Sequence, residues 1–175
     1  VGAPNPAGIA FYSDLIDTLL EYGIQPYPTL YHWDLPVINQ FVADGWLSRQ
    51  TAEAFARYAG ICFEAFGDRV RHWITLNESW CSAVIGYGLG AFPPGRRDSE
   101  QPYLAAHNLL LAHAMAARTF REGGFDGRIG IANNCDWREP LTGAEADRQA
   151  AERALQFFYG WFSDPLVFGE DPGVM

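Results

Sequence analysis

The sequence predicts part of an α/β fold whose parallel strands are joined by helical crossovers, and three observations carry that expectation. Apolar periodicity gives the order helix, strand, helix, strand, helix, strand, helix, an alternation that places successive strands parallel in one sheet. Each strand-like run stops at polar side chains: His32-Trp33-Asp34, then Asn77-Glu78, then Asn133-Asn134. The connections leaving the strands are longer than those entering them. This one-sided elaboration favours a portion of a (β/α)8 barrel, whose functional loops all leave the C-terminal strand ends, over a doubly wound sheet. With 49% hydrophobic content in 175 residues the chain can bury a sizeable core, and residues 1–175 are read as one partial domain.

Residues 1–7 form a Pro/Asn loop, after which Tyr12, Leu15, Ile16, Leu19 and Leu20 recur at helical spacing up to Gly23, a residue suited to a left-handed cap. Residues 24–31 read as a strand, although Pro26 and Pro28 each remove a ladder donor and argue against a central position. Asp34 is expected to cap a short helical turn after Pro36. Ser48 opens a clearer helix with Phe55, Ala59, Cys62, Phe63 and Phe66 on one face and Gly67 as its stop. Val70, Trp73, Ile74 and Leu76 then make a buried strand. A long loop runs from Ser79 to Ser99, punctuated by six glycines and prolines between Gly86 and Gly95. The next helix spans Pro102 to Glu122, with Leu104, His107, Leu111, Ala114 and Met115 inward and Gly123-Gly124 beyond it. Residues 128–132 form the third strand. Thr142 and Glu145 have the form of a capping box for a last helix carrying Ala146, Ala150, Phe157, Phe158 and Trp161 toward Asp164-Pro165, and residues 166–175 are irregular.

Composition removes several function classes. The net charge is -9 and all 12 basic residues are arginine, so no basic nucleic-acid surface is present. No apolar run approaches the length of a membrane span. Cys62, Cys81 and Cys135 are widely spaced and odd in number, a pattern of small buried packing residues and not of a zinc site or a disulfide framework. His107 and His113 are six apart and face different sides of their helix, so they do not ligate one metal, and His72 reads as packing. The glycines of residues 86–95 lack the strand-to-helix setting of a phosphate cradle. No metal or cofactor is expected.

The chemistry-bearing residues concentrate at strand ends. Asn77 and Glu78 are poor strand formers at the end of a hydrophobic strand, where a carboxylic acid can hold a proton to give away; read alone, they serve equally well as the start of a loop. The motifs Tyr31-His32-Trp33-Asp34-Leu35-Pro36, Phe66-Gly67-Asp68-Arg69-Val70 and Trp73-Ile74-Thr75-Leu76-Asn77-Glu78, in that order and spacing, resemble family 1 glycoside hydrolases, the β-glucosidase family. The resemblance continues through Gly86-Tyr87, Pro94-Gly95, His113-Ala114, Gly130-Ile131, Asp147 and Asp164-Pro165 and covers nearly the whole chain.

The resemblance implies a retaining β-glycosidase acting on terminal β-linked sugars, with the third to fifth strand region of the barrel present here. It implies Glu78 as general acid and then general base, Asn77 as a hydrogen-bond partner of the sugar hydroxyl next to the anomeric carbon, His32 as a partner of another hydroxyl, and Trp33 as a wall of the sugar subsite. Ser79 stands where the family commonly has Pro, Phe92 where it has His, and Asp171 where it has Tyr. The family's first strand with its Gln ligand, and its later Thr-Glu-Asn-Gly strand bearing the nucleophile, have no counterpart. The chain is therefore expected to be an internal piece of a longer protein, inactive alone. Family habit leans toward the cytoplasm. Two rivals remain: a non-catalytic carbohydrate-binding barrel that keeps His32, Trp33 and Asn77, and a metal-dependent hydrolase built on His32 and Asp34.

Overall fold

Asn5 starts the first helix by accepting the Ala7 N–H on its side-chain oxygen, while Pro6 supplies a φ already suited to the first helical position. The computed structural model describes residues 3–41 and 43–174, so Val1, Gly2 and Met175, which belong to the expected terminal loop and tail, lie outside the described residues. Those described residues fall into two compact units. Unit 1 takes in the chain up to Asn77 together with Tyr103–Ala132; unit 2 takes in Glu78–Pro102 and the chain from Asn133 onward.

In unit 1 the first helix, α1 (Pro6–Glu21), ends as Gly23 predicts: φ is +71° there, and the Gly23 and Ile24 N–H groups return to the Leu20 and Leu19 carbonyls. Only Ile16 of its apolar stripe is buried, and Phe11, Tyr12 and Leu15 face solvent among the described residues. The following strand β1 is shorter than expected, Thr29–Tyr31, because Pro26 and Pro28 have no N–H to enter a ladder. Pro28 contributes only its carbonyl, which accepts the Ile74 N–H. A short helix α2 (Val37–Phe41) and a single 3-10 turn (Gly45–Leu47) lead to α3 (Arg49–Phe66). Ser48 caps α3 by accepting the Gln50 N–H, and the buried face holds the expected Phe55, Ala59, Cys62, Phe63 and Phe66.

Strand β2 (His72–Asn77) lies at the centre of a parallel sheet of order β1-β2-β3, with β3 at Arg128–Ala132. The expected parallel crossovers are thus present. Tyr31 pairs with Leu76 and Asn77 with Ala132, but the β2–β3 register slips between Ile74 and Asn77. Strict side-chain alternation therefore does not carry through to Asn77, and such irregularities re-aim a strand end. Trp73 meets the Phe63 ring of α3 edge-on at 4.9 Å, and Phe63 meets Phe120 at 5.2 Å. Arg69 ties α1 to the approach of β2 through Asp17 and Ser13.

The helix α4 (Gln101–Glu122) corrects the expected inward face. Leu104 is half exposed and His107 and Ala114 face solvent, whereas Ala105, Ala106, Leu109, Ala112, Ala116, Ala117 and Phe120 are buried. Side-chain size misleads here: alanines allow a close approach to the sheet, so they make up most of the inner stripe beside Leu109 and Phe120. At the heart of unit 1 sits Trp46, 1% exposed, whose Nε1–H donates to the Tyr31 hydroxyl at 3.0 Å while its carbonyl accepts the Asn108 side-chain N–H.

Unit 2 departs furthest from expectation. The loop foreseen from Ser79 to Ser99 begins with a helical turn and nine residues of π-helix, Cys81–Leu89. Its glycines are poor helix formers, which hid the helix, but they serve contact: a Cβ on Gly86 would lie 2.8 Å from the Pro93 carbonyl oxygen, and one on Gly88 would lie 2.9 Å from Pro102. Asp98 accepts the Glu100 and Gln101 N–H groups, which hold its carboxyl below the usual range.

The last helix breaks into α5 (Glu145–Leu155), a π turn (Gln156–Gly160) and α6 (Trp161–Val167). The expected capping box does not form. Thr142 accepts the Ala144 N–H and donates to Asp147, while Glu145 pairs with Arg148, whose guanidinium outcompetes a backbone N–H for its carboxylate. Helix α6 also continues through Pro165, since the Asp164 carbonyl accepts from Phe168 and Gly169 beyond it, and the irregular tail starts later than expected. No helix among the described residues is long and apolar enough to cross a membrane.

Candidate functional site

Three of the four residues singled out by the sequence meet in unit 1. Tyr31, fixed by Trp46, delivers the chain into the turn His32-Trp33-Asp34. Asp34 does not cap α2 as expected. Its Oδ1 accepts the His32 N–H at 3.2 Å and closes the turn on itself, because a carboxylate two residues downstream reaches that donor first. Trp33 takes φ +76°, a left-handed conformation unfavourable for a bulky side chain. The indole Nε1–H donates to the Asn77 carbonyl at 3.0 Å, which fixes the ring while leaving it 37% exposed. His32 meets this ring edge-on at 5.2 Å.

The Asn77 side chain then closes the cluster. Its Nδ2 donates to His32 Nε2 at 3.2 Å, and an accepting Nε2 places the imidazole proton on Nδ1. The end of β2 thus holds both partners of the neighbouring turn, one through its backbone carbonyl and one through its side chain. Trp33 keeps an exposed ring, but its N–H is spent on Asn77 and is not a spare donor, as a simple wall would have it.

Glu78, the next residue, opens unit 2. It too is left-handed, φ +47°, and among the described residues only Asp44 joins Trp33 and Glu78 as a non-glycine with positive φ. The Cys81 and Ser82 N–H groups return to the Glu78 carbonyl, so the carboxylate stands at the entry of a helical turn. Cys81, three residues on, donates its S–H to Glu78 Oε2 at 3.6 Å, and Asn134 Nδ2 donates to the same sulfur at 3.3 Å. Burial first, then the neighbouring Glu78 charge and its hydrogen bond, push the thiol up to about 11, against the opposing Asn134 contact, so Cys81 stays protonated near neutrality.

Sequence reasoning treated Cys81 as packing and passed over the side chain of Asn134. The signal available was spacing: three residues after Glu78 is the same side of a helical turn. Cys135 corrects a second expectation, since it is exposed where small buried packing was foreseen; it follows Asn133 and Asn134 into an irregular, solvent-facing connection. The remaining histidines sit elsewhere. His72 stacks flat on Tyr27 at 4.4 Å, His107 faces solvent, and His113 lies 2.7 Å from the Thr75 hydroxyl. Thr75 donates in turn to the Gly130 carbonyl, which makes His113 Nδ1–H the donor to Thr75. Burial, helped by the Arg121 charge, pulls the His113 imidazole down to about 4. Among the described residues no three His, Cys, Asp or Glu side chains gather as metal ligands.

Comparison with known proteins adds to this geometry. The family described as glycosyl hydrolase family 1 matches residues 1–175. β-Glucosidase 42 of Arabidopsis thaliana is 49% identical over 176 residues, covering 98% of this chain and 36% of the plant protein. A rice β-glucosidase mutant, solved in a covalent complex with Glc, superposes with a TM-score of 0.95 at 46% identity, covering 98% of this chain and 39% of that one. A β-glucosidase of Thermotoga maritima in complex with glucoimidazole gives a TM-score of 0.95 at 46% identity, covering 99% and 40%. This chain spans about a third of the length of the curated relatives it matches. Its architecture is that of part of their (β/α)8 barrels.

Proposed function

The chain belongs to glycosyl hydrolase family 1, and from that premise we propose that the protein carrying it is a retaining β-glycosidase of the β-glucosidase type, releasing terminal β-linked sugars. Glu78 is its general acid and then its general base. One observation carries the reading: in a chain of this family, the single carboxylate directly after the central strand is held left-handed at a helix entry, a conformation that costs energy and is retained where a side chain must be aimed.

Retaining hydrolysis requires a second carboxylate about 5 to 5.5 Å from the first. That nucleophile attacks the anomeric carbon and comes from a segment beyond these residues. As the glycosidic bond breaks, Glu78 gives its proton to the departing oxygen; it then takes a proton from the water that hydrolyses the glycosyl-enzyme. Asn77 and His32 bind hydroxyls of the glycone. With Nε2 accepting from Asn77, His32 offers Nδ1–H as a donor. The Trp33 ring, fixed by its bond to the Asn77 carbonyl, covers the apolar face of the pyranose. The β-glycoside is the only partner this chemistry requires.

The test compares the full-length protein, its Glu78→Gln variant and the 175-residue piece on aryl and alkyl β-glucosides. Glu78→Gln keeps the shape and removes the proton donor, and kcat/KM falls on the order of 10²–10⁴-fold on poor leaving groups and far less on dinitrophenyl glucoside. The isolated piece shows no turnover. A folded full-length protein that binds sugars but turns over no β-glycoside would replace this reading with that of a carbohydrate-binding barrel.

A further inference from the structure

We propose that Cys81 is a positioning residue for the acid/base carboxylate: its thiol, oriented by Asn134, donates to Glu78 Oε2 and thereby turns Oε1 toward the reacting oxygen. The inference rests on the assignment of Glu78 made above and on three side chains of one unit. Cys81 Sγ lies 3.6 Å from Glu78 Oε2, and Asn134 Nδ2 lies 3.3 Å from Cys81 Sγ. Cys81 is 7% exposed, so water does not compete for its proton. An amide N–H pointing at the sulfur occupies a lone pair and leaves the single S–H for the carboxylate.

The arrangement is directional. A thiol has one proton, and only an acceptor on Glu78 uses it. The raised thiol value described above keeps that proton in place across the working range of a glycosidase. Donation to a carboxylate favours its ionised form, the form that acts as base on water in the second half of the reaction. Cys81 touches neither sugar nor water in this scheme. It acts through Glu78.

The experiment uses the full-length enzyme with Cys81→Ala, Cys81→Ser and, separately, Glu78→Gln, and follows kcat/KM against pH on an alkyl β-glucoside, with thermal unfolding of each variant. The basic limb of that profile reports the proton donor of the free enzyme. Removing a weak donor to the ionised carboxylate moves the limb of Cys81→Ala to higher pH. Cys81→Ser keeps a hydroxyl donor and holds the limb at or below its wild-type position. A purely structural role for Cys81 would lower thermal stability and leave both limbs in place, and limbs unmoved in both variants overturn the proposal. If Glu78→Gln loses no activity on poor leaving groups, the acid/base assignment falls first. If Glu78→Gln behaves as an acid deletion while the Cys81 profiles stay put, only the positioning role falls.

Discussion

The two units differ in how they are held. In unit 1 the buried surfaces are apolar faces of regular elements, α3 and α4 against the sheet, with Trp46 making the polar closure of one corner. Glycines bring backbone close in both units, Gly127 against Arg71 in unit 1 and Gly86 and Gly88 under Pro93 and Pro102 in unit 2, but among the described residues unit 2 buries Ser79 Oγ, Trp80 Nε1, Ser82 Oγ and Asn133 Oδ1 without a hydrogen-bond partner where unit 1 so buries Trp73 Nε1. Unit 2 thus gathers more buried polar atoms without a protein partner than unit 1. The lesson is that regular packing and the sites it supports obey different economies within one chain.

The sharpest way to break this contrast is to remove the side chain on which unit 1 closes. Trp46→Ala in the full-length protein is expected to cost about 3–5 kcal/mol, from lost packing and the lost hydrogen bond to the Tyr31 hydroxyl. Chemical denaturation measures it, and a loss under 1 kcal/mol would deny Trp46 its central place. Gly86→Ala probes unit 2 in the opposite sense, by adding one carbon where a Cβ would sit 2.8 Å from a carbonyl oxygen. Overpacking of this kind costs about 1–3 kcal/mol. Amide exchange should quicken through Cys81–Leu89 and stay slow in α3, and equal protection in both variants would erase the distinction between the units.

The smallest effect sharpens the role of burial in unit 1. His113 has its folded value lowered to about 4 from an ordinary 6.5. Between those values the unfolded chain binds the extra proton, so stability is fully present above the ordinary value and falls as pH falls through the window. His113→Gln, which keeps a donor for Thr75, should flatten the slope of stability against pH between about 4 and 6.5. An unchanged slope would assign the acid sensitivity to other groups.

Element order and the parallel sheet were legible because α3, β2 and β3 carry strong periodicity, and Gly23 and Gly67 stand at helix ends, left-handed only at Gly23. What escaped reading followed physical rules that a linear pattern does not expose. Five alanines, with Leu109 and Phe120, face inward on α4, while Leu104 stays exposed, because closeness to the sheet counts for more than side-chain size. The π-helix after Glu78 was hidden by glycines chosen for contact. At the site, the identities of His32, Trp33, Asn77 and Glu78 came from motif and position. The left-handed backbone at Trp33 and Glu78, the Asn77 bond to His32 and the thiol beneath the carboxylate are three-dimensional facts with no one-dimensional signature.

The sheet order β1-β2-β3 also sets a calendar for synthesis. Each strand pairs with the one made just before it, so a chain leaving the ribosome can dock every new strand on a neighbour already in place, with only the intervening helix to close. Growth of this kind keeps an open edge at the newest strand, besides the one at the first, until the sheet closes. A ribosome that stalls after β3 therefore holds an exposed template for wrong pairing, and quality control on this protein is most needed between the completion of one crossover and the next.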